Sequence, residues 1–153
     1  MSVKSSKFSF EGGKELETAL RALGKTATAR NVGVRALKIA AEPIAEKARL
    51  LAPKDERDLE QSIKVGRAIS AFQRDGNRGD YIATFVGIDE SVDKRLHIYA
   101  DVQEYGNEAN PPQPYMRPAW DSEKHKAVER MAPALWEEIA KANARAAKKA
   151  AKG

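Results

Sequence analysis

RALKIAAEPIAEKARLLAPKDERDLEQSIKV, residues 35–65, changes its apolar period partway along. With Val34 just before it, Leu37, Ala41, Ile44, Ala48 and Leu51 recur at three- and four-residue steps. That spacing predicts a helix over 32–51 with this face packed. Lys38, Glu42, Glu46, Lys47 and Arg49 occupy the other sides. Pro43 removes one helical hydrogen bond and predicts a bend, and Pro53 ends the helix. The charged run KDERD at 54–58 reads as a surface connection. After Leu59 the period falls to two: Ile63, Val65, Arg67 and Ile69 alternate with Lys64 and Gly66, as in a strand with one wet face.

Toward the start, Leu16, Leu20 and Leu23 form a narrow stripe on a helix expected over 14–23, stopped by Gly24. Phe8 and Phe10 lie on one side of a possible short strand, and 25–31 reads as a loop. Toward the end, QRDGNRGD at 73–80 reads as a hairpin connection into YIATFVGI at 81–88. Both faces of that strand are apolar, so it is expected to be central and covered on both sides, by this chain or by a neighbouring subunit. LHIYADVQEYG at 96–106 stays open: Leu96, Ile98, Ala100 and Val102 alternate like a strand, whereas Ile98, Val102 and Tyr105 make a helical stripe. NEANPPQPYMRPAW at 107–120 reads as an extended loop. A long helix is expected from about Trp120, with Val128, Met131, Leu135, Ile139 and Ala142 on one face and a kink at Pro133. The expected fold class is α+β: two N-terminal helices, a small mainly antiparallel sheet, and a long C-terminal helix packed on the sheet. Residues 1–140 would form a single domain, with 141–153 a basic Ala/Lys-rich extension whose end frays.

Composition narrows the function. The 153 residues contain no cysteine, which removes thiolate catalysis, Cys-type zinc sites and disulfides. The opening MSVKSSKFSFEGG lacks the apolar core of a signal peptide, and no run approaches the roughly 20 apolar residues of a membrane span. The chain is therefore expected to be soluble, or part of a soluble particle made in the cytoplasm, without a membrane partner. The net charge of +5 is concentrated in 141–153, where Lys141, Arg145, Lys148, Lys149 and Lys152 stand without an acid; 22 basic and 22 acidic residues remain elsewhere. The basic character thus belongs to one terminal stretch rather than to a globular face.

Signatures of catalysis are scarce. His97, on a possible strand, and His125, on a charged helix face, have no HExxH spacing and no cysteine to complete a metal or triad set. Asp89, Glu90 and Asp93 cluster after the 81–88 strand and could offer oxygen ligands to a hydrolase metal, but DESVDKR is more simply a polar turn. There is no GxxxxGK[ST], no GxGxxG and no nucleophile elbow. Trp120 and Trp136 read as core or subunit-contact anchors. The expectation is no enzyme, no metal and no cofactor. The basic stretch leaves a nucleic-acid-binding protein as a rival reading.

Four segments together resemble the gene-product-ten-like tail-component family of long-tailed bacteriophages, over about residues 8–140. FEGGKELETALRAL resembles its opening F-x-G-x-x-E-L and leucine-spaced helix. RALKIAAEPIAEKARLLAP resembles its second helix ending in Ala-Pro, and DLEQSIKV its Leu-x-x-Ser-Ile strand entry. YADVQEYGNEANPPQPYMRPAW resembles its Tyr-Ala…Glu-Tyr/Phe-Gly segment followed by Pro-Phe/Tyr-Met-Arg-Pro-Ala. Gln103, Asn107 and the KDERD loop depart from the family's usual residues. The resemblance implies a structural virion protein at the head–tail junction, for tail completion or neck formation. It implies a sixfold ring of copies that caps the tail tube protein and docks it on the head-completion or connector protein, with DNA only passing through. A tail terminator that fixes tail length is the alternative, and phage or resident prophage are both compatible sources. Glu104, Tyr105, Gly106, Pro114, Tyr115, Met116, Arg117, Pro118 and Trp120 then become candidates for a subunit or partner interface, or for maintaining the fold beneath one. Arg117 is expected to pair with Glu104, within one subunit or between two, and segments 73–80 and 107–113 to order on docking.

Overall fold

A computed structural model describes residues 12–54, 57–66 and 82–153. The elements run α1 (Gly13–Ala22), α2 (Thr26–Leu51), α3 (Arg57–Ser62), β1 (Ile63–Gly66), β2 (Phe85–Ile88), α4 (Lys94–Tyr105) and α5 (Met116–Lys152). Helices dominate, and the described strands form one antiparallel pair with Ile63 opposite Ile88 and Val65 opposite Val86. The expected α+β character therefore holds in outline, with the sheet reduced to a small component.

The helix pairing is where expectation and structure part. α5 was expected to lie on the sheet, but it runs along α2, and α2 covers the strands. Among the described residues, only Tyr115, just before α5, and Ala119 near its start enter the core with Ile63 and Val65, with Met116 packed against it. The reason lies in the face that α2 buries. Val32, Ala36, Ala40, Ile44, Ala48 and Ala52 are all buried at strict four-residue steps, whereas Val34, Leu37 and Ala41 are half-buried and Leu51 is exposed. Four-residue rows form an inclined ridge, and alanines along it let a second helix approach closely. α2 also begins earlier than expected, taking in most of the 25–31 stretch. Both α2 and α5 remain helical through their prolines, Pro43 and Pro133.

Two apolar clusters result. One joins Ala45, Ala48, Ala52 and Leu59 to Ile63, Val65, Ala100, Tyr115 and Ala119. The other joins Leu16 of α1 and Val32 of α2 to Ile139 and Ala142 of α5, with Leu20, Leu23 and Leu135 packed against it. Arg49 ties α2 to the sheet: its Nε and Nη2 donate to the Ile63 carbonyl at 3.1 and 2.8 Å, and its Nη1 to Glu42 at 2.8 Å.

Other expectations are corrected locally. The 54–58 connection already begins α3 at Arg57. β1 shows the expected alternation, Ile63 and Val65 buried and Lys64 exposed; Arg67, Ile69, the 73–80 loop, Tyr81, Phe8 and Phe10 lie outside the described residues. β2 is half-buried throughout, so this chain by itself does not cover both of its faces. The open segment 96–106 is helical, so His97 sits on a helix. Its inward side is Leu96, Ala100 and Glu104, leaving Ile98 and Tyr105 exposed. α5 starts at Met116, inside the stretch read as an extended loop, and stays helical to Lys152.

Candidate functional site

The joint between α4 and α5 gathers the nine residues singled out from the sequence. α4 ends at Tyr105, and Gly106 follows with φ 73°, a left-handed conformation costly for a side-chain-bearing residue. A Cβ there would also stand 2.8 Å from Pro112 and 2.9 Å from the Asn110 carbonyl. The chain then folds back. The Asn107 Oδ1 accepts from the backbone N–H groups of Ala109 and Asn110 at 3.0 and 2.8 Å, and the Gln113 N–H donates to the Gln103 carbonyl at 2.7 Å. The 107–113 segment, expected to order on docking, is thus already a hydrogen-bonded turn.

Glu104 is the centre of this joint. Its side chain is only 5% exposed, and its carboxylate meets the first turn of α5 end-on. Oε2 accepts from the N–H groups of Tyr115 and Met116 at 2.8 and 2.9 Å; Oε1 accepts from the Arg117 N–H and Nε, both at 3.0 Å. The Arg117 Nη2 donates to the Glu104 carbonyl at 2.7 Å. The accounting of donors is complete. A helix leaves its first N–H groups without internal partners; here three of them go to one carboxylate, Pro118 has none, and the Ala119 N–H returns to the Tyr115 carbonyl. A negative charge at a helix N-terminus is further favoured by the backbone dipoles.

These contacts decide the protonation state. Burial alone pushes the Glu104 carboxyl up, but the N–H groups of Met116, Tyr115 and Arg117 and the Arg117 guanidinium outweigh it and hold it below its ordinary value. The neighbouring Tyr115 hydroxyl is pushed up, first by burial and then by the Glu104 charge. Arg117 completes the arrangement on the outside, its guanidinium carbon 5.2 Å from the centre of the Tyr105 ring.

The same joint presents large side chains to solvent. Tyr105 is 68% exposed, and Trp120 and Ile98 are each 55% exposed. Ile98 and Tyr105 are seven residues apart on α4, hence on one side of it. Pro114, Arg117 and Pro118 are exposed as well, while Tyr115 is buried and Met116 half-buried. Trp136 is 44% exposed, so neither tryptophan is a core residue.

The rival acidic cluster has other duties. Asp89 pairs with Lys64 and accepts from the Ser91 N–H and hydroxyl at 2.9 and 2.8 Å; Lys64 first and Ser91 next hold it below the usual carboxylate range. Asp93 caps α4 by accepting from the Arg95 N–H at 2.7 Å. Beside them an open cleft of about 400 Å³ is lined by Asp58, Lys64, Asp93 and Arg95, an even mixture of signs. Among the described residues no three acidic or histidine side chains converge as a metal site, and no helix is long and apolar enough to cross a membrane.

Sequence reasoning singled out Glu104 and its pairing with Arg117, but missed its three backbone donors. It also missed Glu138, whose side chain, 5% exposed, pairs with Arg35 across α2 and α5. Neither arrangement carries a local signal, because the partners are 11–13 and 103 residues away. A family model described as "Bacteriophage HK97-gp10, putative tail-component" matches residues 14–106, more than half of the chain. No curated protein and no solved structure matches it. The matched stretch ends at Gly106, so the Pro114–Ala119 segment lies beyond it.

Proposed function

Because the chain belongs to the HK97-gp10-like family of bacteriophage tail components, we propose that it works at the head–tail junction as a tail-completion or neck protein, assembled into a ring. The observation that carries this reading is the pairing of a locked backbone with exposed anchors. Glu104 fixes the α4–α5 angle, and Ile98, Tyr105 and Trp120 stand outside it with most or much of their surface uncovered. Large aromatic and aliphatic side chains on a rigid base bind without much loss of conformational freedom, and such residues dominate protein interfaces.

The action is structural. Copies would meet through self-complementary surfaces, closing a ring that on one side caps the tail tube and on the other accepts the head connector. The nine candidate residues divide between these tasks: Glu104, Gly106 and Tyr115 hold the joint, and Tyr105, Pro114, Arg117, Pro118 and Trp120 offer contact, with Met116 between. No step calls for catalysis, metal or cofactor.

Electron microscopy of lysates from a phage with this gene disrupted tests the proposal. DNA-filled heads beside unattached tails of normal length are expected. Tails of irregular excess length would make the protein a tail terminator instead. Intact, infectious particles in normal numbers would refute both assignments.

A further inference from the structure

Ala142 is the last buried residue of α5, yet the helix continues to Lys152 with every following residue exposed. At about 1.5 Å per residue this projects roughly 15 Å beyond the core. Lys141, Arg145, Lys148, Lys149 and Lys152 sit at its base and along it. At about 100° per residue, all five fall within an arc of roughly 100°. Alanines and Asn143 occupy the rest of the surface. Lys141 is engaged by Glu137 and Glu138 at 2.8 and 3.2 Å. The other four have no acidic partner among the described residues.

We infer that Arg145, Lys148, Lys149 and Lys152 form a contact for the phosphate backbone of double-stranded DNA, made without regard to sequence. Counted with Lys141, the stripe has one sign of charge while the rest of the chain is balanced, 22 basic against 22 acidic residues. Its composition separates a nucleic acid from an acidic protein. Protein interfaces rest on aromatic and large apolar anchors buried at their centre, and this projection carries no apolar side chain larger than alanine. Phosphate contact needs only lysine and arginine, with counterion release as its driving force. Nothing on the stripe reads a base edge: there is no aromatic to stack, and Asn143 stands on the opposite side. The inference is independent of the head–tail assignment, since it concerns the isolated chain.

Fluorescence anisotropy of the full chain with a labelled random-sequence duplex tests it. Affinity is expected to fall between about 50 and 200 mM salt, with a log–log slope of up to about −3.6 per chain, or about −0.9 per cation engaged. The variant R145Q/K148Q/K149Q/K152Q should keep its circular dichroism and melting temperature, lose roughly tenfold or more in low-salt affinity and flatten that slope. The control K14Q/K38Q/K94Q/R95Q removes the same charge elsewhere and should change affinity by less than about threefold. Absence of binding by the unmodified chain, or equal losses in both variants, would overturn the inference. Binding of polyglutamate as tight as that of DNA would assign the stripe to an acidic protein instead.

Discussion

Glu104 and Glu138 are equally hidden, each with a side chain 5% exposed, and each pairs with an arginine on another element. Their support differs. Glu104 receives three backbone N–H groups at the head of α5 in addition to Arg117. Glu138 is held by side chains alone, Arg35 at 42% and Lys141 at 49% exposure. Backbone donors are fixed once the helix forms, whereas long cationic side chains lose conformational freedom and share their charge with water. The first arrangement fixes an angle between helices; the second tethers two helices already packed through alanines and valine.

The comparison predicts an order of effects. Glu104→Ala should cost about 3 kcal/mol in urea denaturation, because three helix-end donors and a guanidinium lose their acceptor together. Gly106→Ala should follow at about 2 kcal/mol, from its left-handed φ and its clash with Pro112, and the loss should not add to that of Glu104→Ala in the double variant. Glu138→Ala should cost about 1 kcal/mol, since Arg35 can turn to solvent. A cost equal to that of Glu104→Ala would erase the distinction. Acid titration sharpens it. Both carboxyls are held below their ordinary value of 4.5, Glu104 because its donors outweigh burial and Glu138 chiefly by Arg35. Their stabilisation is therefore complete above that value and lost as pH falls through the lower native one. Stability of Glu104→Gln should fall less steeply than that of the unmodified protein below about pH 4.5. The smallest effect on stability belongs to Tyr105→Ser, within about 0.5 kcal/mol for a mostly exposed aromatic side chain, yet phage particle assembly should fail.

How much of this was legible in the sequence follows from what each residue contributes. The leucines of α1 and the Val128–Ala142 face of α5 read correctly, since large apolar side chains recur there at helical steps. On α2 the helix was right and its face half right: Ile44 and Ala48 are buried as expected, but the packed row runs on through Ala36 and Ala40 rather than Leu37 and Leu51. A reading weighted toward Leu37 and Leu51 overlooks Ala36 and Ala40, which are buried because they are small enough to admit α5. α4 resisted for a related reason. Its inward row is Leu96, Ala100 and Glu104, and a buried carboxylate breaks the apolar pattern that would have marked a helix. The candidate residues around Glu104 came from motif resemblance rather than periodicity, so their positions were legible while their division into anchors and supports was not. That division depends on which backbone N–H groups lie free, and these appear only once α5 is seen to begin at Met116.

The pairing of α2 with α5 also sets a timetable for synthesis. α2 is complete when residue 51 has been made, but the helix that covers its alanine ridge spans residues 116–152. A ribosome adding roughly 5–20 residues per second takes several seconds or more to bring that partner out. During that interval Val32, Ala36 and Ala40 have no α5 to pack against, and the ridge stands open to other nascent chains. The order in which the chain emerges thus makes the middle of the protein wait for its end.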